Sequence, residues 1–182
     1  HKANPRLAGV VKNTKSLKKL TIHNSQQSLK GAWDSKGLAA DGIYFEHDQT
    51  MHIVGGKFAR ETPFTKGGYV VSDGSSGTFK HEWGHHLHLQ SRKSFADEWS
   101  KVWEKRVKGV QRDLFPSLIS DRNQTDLFKT ISKEISEYAS VNEVEFLAES
   151  FASFTSPQYG IVGDRLPVDV EAFMFKHFGG EK

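Results

Sequence analysis

His81, Glu82 and His85 are the residues in this chain whose types and spacing most directly suggest chemistry. They sit in the run Lys80-His81-Glu82-Trp83-Gly84-His85-His86-Leu87-His88. On an α-helix residues i and i+4 lie one above the other, so the imidazoles of His81 and His85 can face one metal ion. Glu82, about 100° further round, can reach a water on that ion without taking a coordination position. Zinc suits such a set, because it polarises a carbonyl and lowers the pKa of its water to about 7. A carboxylate can then take the water's proton and pass it to a leaving amine. The bare pattern also fits a histidine-rich exposed helix that binds metals adventitiously. Its context favours a cleft: Phe79, Trp83 and Leu87 form an apolar stripe roughly opposite the His81/His85 face. Gly84 costs about 1 kcal/mol of helix stability relative to Ala, which a close neighbour or a metal site would justify.

A catalytic zinc site needs a third protein ligand and keeps its fourth position for water. His88 shares the helical face but lies about 10 Å along the axis from His81, so it does not easily close the same tetrahedron. A second helix is the better source, and Asn142-Glu143-Val144-Glu145-Phe146-Leu147-Ala148-Glu149 is the candidate. Val144, Leu147, Ala148 and Phe151 make its core stripe. Glu145 and Glu149 stack at i,i+4 on an adjacent face with Ala152. Two such carboxylates repel unless a cation or donor stands near them. A zinc ion at Glu145 and a histidine N–H at Glu149 would satisfy both, while solvated charges with Asn142 and Glu145 as a capping box are the plainer alternative.

His-Glu-x-x-His followed by Asn-Glu-x-Glu-Phe-x-Ala-Glu-x-Phe resembles the catalytic domain of anthrax lethal factor and its relatives, over about Tyr69 to Phe154. Those relatives include the clostridial Pro-Pro endopeptidases and metallopeptidase domains attached to phage minor-head proteins. The resemblance implies a zincin-like fold and a gluzincin in which His81, His85 and Glu145 bind one Zn2+ and Glu82 is the general base. It implies that Glu149 orients His81 from behind. It also implies that Tyr138, seven residues before Glu145, stabilises the oxyanion. By analogy with zinc peptidases, Tyr69, Val70, Val71 and Ser72 form the edge strand that pairs with an extended peptide or protein substrate. The setting implied is secreted or phage-associated. Residues 1–66 and the interval between His85 and Glu145 do not align with the family. A phage structural or interaction domain that keeps a zinc site without turnover is the competing reading.

The elements that must position these residues begin with a strand over Lys19–Asn24, where polar and apolar residues alternate. Ser25 to Gly42 is small and polar, broken into turns by Gly31, Gly37 and Gly42. Ile43–Glu46 and Met51–Val54 read as a hairpin around a His47–Thr50 turn, ended by Gly55-Gly56. Tyr69–Ser72 is a further strand, and Asp73–Thr78 a loop into the motif helix. Ser94 is the expected cap of an amphipathic helix with Phe95, Trp99, Val102, Trp103, Val107 and Val110 on one stripe, closed by Pro116. Helices follow over Asp126–Tyr138, from Asn142 to before Pro157, and over Val168–Phe178, with Gly179-Gly180 as the stop. A small, mostly antiparallel sheet followed by a helical subdomain makes the class α+β, in a single domain over 1–182 with residues 1–15 a loose lead-in.

Composition narrows the function further. Thirteen Phe and four Trp supply core volume, and 26% charged residues suit a globular surface. The net charge of +3 is mild, and the lysines at 12, 15, 18, 19 and 30 read as a solvated basic face, without the signatures of nucleic-acid binding. With no cysteine, disulfides and thiolate metal sites are excluded, and His and carboxylate remain as ligands. No apolar run is long enough to span a membrane and no signal peptide is visible. A monomer is expected, and the start at His1 fits a piece of a larger polypeptide. His23, His47 and His52 read as surface or turn histidines, and His86 as structural or solvent-facing.

Overall fold

The computed structural model describes residues 17–25, 28–29, 41–55, 64–70, 75–108, 126–156 and 159–179. The lead-in, the turns at Gly31 and Gly37, and Val71, Ser72, Asp73, Val110, Pro116, Pro157 and Gly180 lie outside them. The architecture is α+β. Three strands, β1 (Lys19–His23), β2 (Gly42–Phe45) and β3 (Thr50–Val54), form a sheet in the order β1-β3-β2. In β3 Met51 and Ile53 are buried between half-buried neighbours, the period-2 pattern of a strand with one face on the core. β2 and β3 are the expected antiparallel hairpin, with Tyr44 opposite Met51 and Gln49 taking the positive φ that the tight turn needs. β1, however, runs parallel to β3, with Leu20 opposite Met51 and His23 opposite Val54. The sheet is therefore mixed, not mostly antiparallel. Alternation fixes which face a strand buries but not its direction, and the long connection from β1 to β2 permits either sense.

Five helices follow among the described residues: α1 (Ser75–Gln90), α2 (Lys93–Val107), α3 (Asp126–Glu134), α4 (Glu143–Phe154) and α5 (Val168–Phe178). The motif helix α1 starts at Ser75, inside the segment expected to be loop. α2 is preceded by extended Arg92, which makes no side-chain cap, so Ser94 falls in the first turn and does not cap it. α3 stops at Glu134 and does not run on to Tyr138. The helix is interrupted over residues 135–137, and Tyr138–Ser140 form a separate 3-10 turn. The strand expected over Tyr69–Ser72 is also absent where the chain is described: Tyr69 and Val70 form a bend. Gly67 there takes φ 82°, which glycine adopts freely. These two departures have one cause. Gly68 bridges Ser136 in parallel, with Gly67 N–H donating to Ile135 O, Glu137 N–H to Gly68 O and Tyr138 N–H to Tyr69 O. Two short segments thus satisfy each other's backbone, and neither a longer helix nor a longer strand forms.

α4 is the central element. Every residue from Phe146 to Phe154 is buried. Asn142 caps it, its side chain accepting from Val144 N and Glu145 N at 2.9 Å each. Phe146 stacks on Trp99 of α2, and Trp99 packs in turn on Phe173 of α5. Trp99 Nε1 donates to Glu143 O at 3.1 Å, and Arg106 of α2 ties to both Glu134 and Asp169. None of the described helices is long and apolar enough to cross a membrane.

α1 crosses α4 at Gly84. A Cβ placed there would stand 2.7 Å from Ala148 Cα and 3.2 Å from its Cβ, so only glycine lets the helices come this close. Ala at this position would gain about 1 kcal/mol of helix propensity but meet backbone that can yield only by moving a helix. The overpacking outweighs the gain. We expect Gly84→Ala to be less stable by about 1–3 kcal/mol, read as a lower melting temperature. A variant that melts at or above the parent would show that the crossing has slack.

Candidate metal centre

The α1–α4 crossing brings the two motifs face to face. His81 Nε2 lies 3.0 Å from His85 Nε2, and Glu145 Oε2 lies 3.0 Å from the first and 3.2 Å from the second. These side chains are only 12–16% exposed. In a tetrahedral site with bonds of about 2.0–2.1 Å, ligand atoms stand about 3.3 Å apart, so the triangle has nearly the size an ion would impose. The three residues are close enough to hold one metal ion. Glu145 Oε2 is also buried and makes no hydrogen bond of acceptable geometry, although two imidazole nitrogens stand beside it. Three buried ligand atoms that converge with poor hydrogen-bond alignment fit a cation better than a hydrogen-bonded cluster.

The surroundings prepare His81 for that role. Its Nδ1 is 2.6 Å from Glu149 Oε1, so Nδ1–H donates to the carboxylate and Nε2 is the atom that faces the triangle. Glu149, 2% exposed, receives a second bond from Ser136 Oγ at 2.7 Å. Glu145 sits in the first turn of α4, where the helix dipole also favours a negative charge.

Glu82 is on the same helix, 6% exposed. Burial is the main force pushing its carboxyl pKa up. His81 and His85 oppose the rise and Glu145 adds to it, as they do for a group bordering the triangle. Tyr44 N–H of β2 donates to its carboxylate. A Cβ at Gly42 would stand 3.0 Å from Glu82 Oε1 and against the Thr78 methyl, so the start of β2 is packed directly on this side chain. The Tyr138 ring lies 5.5 Å from the His81 ring and 6.0 Å from that of Tyr69. Burial first, then Glu145 and Glu82, push its phenol above the ordinary range, so it remains an O–H donor at neutral pH.

The structure therefore brings together His81, Glu82, His85, Glu145, Glu149 and Tyr138. Tyr69 reaches the rim, 59% exposed, while its carbonyl is already bonded to Tyr138 N–H. The other histidines divide: His47 and His86 sit within expectation, His23 and His52 do not. His86 is fully buried, with Nδ1 2.9 Å from Tyr44 Oη, and is structural, not solvent-facing. His23 is 9% exposed and bonded through Nε2 to His52 Nδ1 at 2.9 Å, so the pair holds β1 to β3 and is not surface decoration. His47 lies in an exposed turn, as expected. Sequence reasoning missed Ser136 and Gly42, for which no spacing rule exists. In comparisons with protein-family models, curated proteins and solved structures, nothing matches this chain.

Without a metal, burial alone would lower the His81 pKa, but Glu145 and Glu149 outweigh it and hold the imidazole up to about 10. Burial raises Glu145, and His81 and His85 outweigh it, bringing that carboxyl down to about 2. His81 thus contributes stability that is complete below its ordinary 6.5 and lost as pH rises through about 10. Glu145 contributes stability present above its ordinary 4.5 and lost as pH falls toward 2. A metal must displace the His81 proton, so its apparent affinity should rise about tenfold per pH unit between pH 7 and 9. Competition titration of the metal-free protein against a chromophoric chelator measures this. A pH-independent affinity would remove His81 from the ligand set.

Proposed function

We propose that this chain is a zinc-dependent endopeptidase of gluzincin type, zincin-like in fold, with His81, His85 and Glu145 holding one Zn2+. The observation that carries the reading is the meeting of two imidazoles and a carboxylate from α1 and α4, with the Glu82 carboxylate bordering them. A His/carboxylate set in a chain without cysteine suits zinc. Zinc, when bound, would polarise the scissile carbonyl and make a water nucleophilic near neutral pH. Glu82, its pKa raised by burial, takes the proton of the attacking water and passes it to the departing amine. Tyr138 donates its hydroxyl to the oxyanion. Glu149 holds the His81 tautomer.

An extended substrate needs a sheet edge. The bend at Tyr69–Val70 does not offer one, whereas no described strand pairs with the outer edge of β2, whose Tyr44 N–H points at Glu82. We assign peptide pairing to Gly42–Phe45 through the outward backbone groups other than Tyr44 N–H, which Glu82 already accepts, with the Tyr69 side chain at the rim. The substrate is then a peptide or protein strand bound mainly through its backbone.

The test is a mixed peptide library incubated with and without chelator. We expect chelator-sensitive cleavage, a loss of about 10²–10⁴-fold in kcat for Glu82→Gln with zinc content unchanged, and about 10²–10³-fold for Tyr138→Phe. Glu145→Ala and His85→Ala should lose the zinc. If nothing is cut while chelation lowers the melting temperature, the metal is structural and the peptidase reading falls.

A further inference from the structure

We infer that Ser136 is a positioning residue, one hydroxyl that fixes both the carboxylate behind His81 and the turn that carries Tyr138. The inference rests on the metal site proposed above. Ser136 is fully buried. Its Oγ donates to Glu149 Oε2 at 2.7 Å and accepts from Ala139 N–H at 3.1 Å. A hydroxyl has one proton, so these two bonds determine its orientation. Glu149 uses its other oxygen for His81 Nδ1, giving an unbroken series from Ala139 N–H through Ser136 and Glu149 to the imidazole.

The second half of the argument is the backbone. Ser136 is the residue bridged to Gly68, with the flanking bonds running from Glu137 N to Gly68 O and from Tyr138 N to Tyr69 O. Tyr138 is therefore held at its own N–H by Tyr69 and through the next N–H by the Ser136 side chain. One atom, Ser136 Oγ, thus touches both Glu149 and this turn. A shift of Ser136 would move the Tyr138 phenol and loosen His81 together, so ligand geometry and oxyanion donor behave as one unit.

The experiment compares the whole chain with Ser136→Ala, loaded with zinc or cobalt. Loss of an outer partner of a metal-bound histidine lowers metal affinity about 10–100-fold, and about tenfold is expected here because Glu149 itself remains. The visible spectrum of the cobalt form should shift, and the Tyr138 ring signal of the zinc form, observed by NMR, should move. Ser136→Thr, which keeps the hydroxyl, should restore the cobalt spectrum. If Ser136→Ala does not fold, Ser136→Cys, a weaker donor of similar size, replaces it with the same expected directions. Unchanged zinc affinity and cobalt spectrum, or an unmoved Tyr138 signal, overturns the proposal. None of these readouts needs turnover. Failure of the wild-type protein to cut any peptide would sink the peptidase reading while leaving the role of Ser136 to be decided by affinity and spectra.

Discussion

The site depends on one steric fact: α1 and α4 touch backbone to side chain where Gly84 meets Ala148. His81 and His85 stand one turn before and one residue after that contact, and Glu145 stands one turn before Ala148 on the facing helix. Side chains of these lengths reach a common point only if the helix axes are close. A methyl group on Gly84 would meet Ala148 and force the helices apart, carrying the carboxylate away from the imidazoles. The aromatic stack of Trp99 on Phe146 presses α4 from the opposite side, so the contact is held under packing from both faces. The core and the site are thus one construction, since the helix that supplies Glu145 and Glu149 is also the most buried one.

Electrostatics explains why that construction favours a cation. Three carboxyl groups, Glu82, Glu145 and Glu149, gather around two imidazoles in a largely water-free cleft. Glu149 is satisfied by His81 and Ser136. Glu145 Oε2 has imidazole nitrogens at 3.0 and 3.2 Å without a hydrogen bond of good geometry. Uncompensated buried charges cost several kcal/mol each, so the metal-free protein relieves the strain by holding a proton on His81. A divalent ion at the triangle would replace that proton and neutralise more of the charge with better geometry. Glu82 is then the carboxylate left over, raised in pKa by its burial and free of any coordination duty.

Much of this was legible in the sequence, and the boundary is physical. The spacing of His81 and His85 and of Glu145 and Glu149 encodes helical faces directly, because the period of a helix is fixed by local geometry. α5 was legible to the residue, and the hairpin β2–β3 nearly so, since each is specified by neighbours in the chain. What was not legible depends on partners far away. The direction of β1, the end of α3 at Glu134 and the bend at Tyr69 all follow from pairings between segments dozens of residues apart. Tyr138 was placed by resemblance, yet the helix expected to carry it is a 3-10 turn. Its position comes from Gly68, Tyr69 and Ser136, which no local pattern marks.

The four histidines of α1 show the same point at the level of one side-chain type. His81, His85, His86 and His88 lie within eight residues and share one chemistry. At about 100° per residue, their angles around the helix assign them different surroundings. His81 and His85 meet Glu145 across the cleft, and His86, one step on, turns into the core against Tyr44 and Trp83. His88 shares the ligand face but is a turn too far along. Its Nδ1 is buried without a hydrogen bond, and burial lowers its pKa. A histidine-rich helix is therefore a poor description of this element. Two positions face Glu145 across the cleft, one is set by the core, and the angle between them decides which imidazoles are placed to hold an ion.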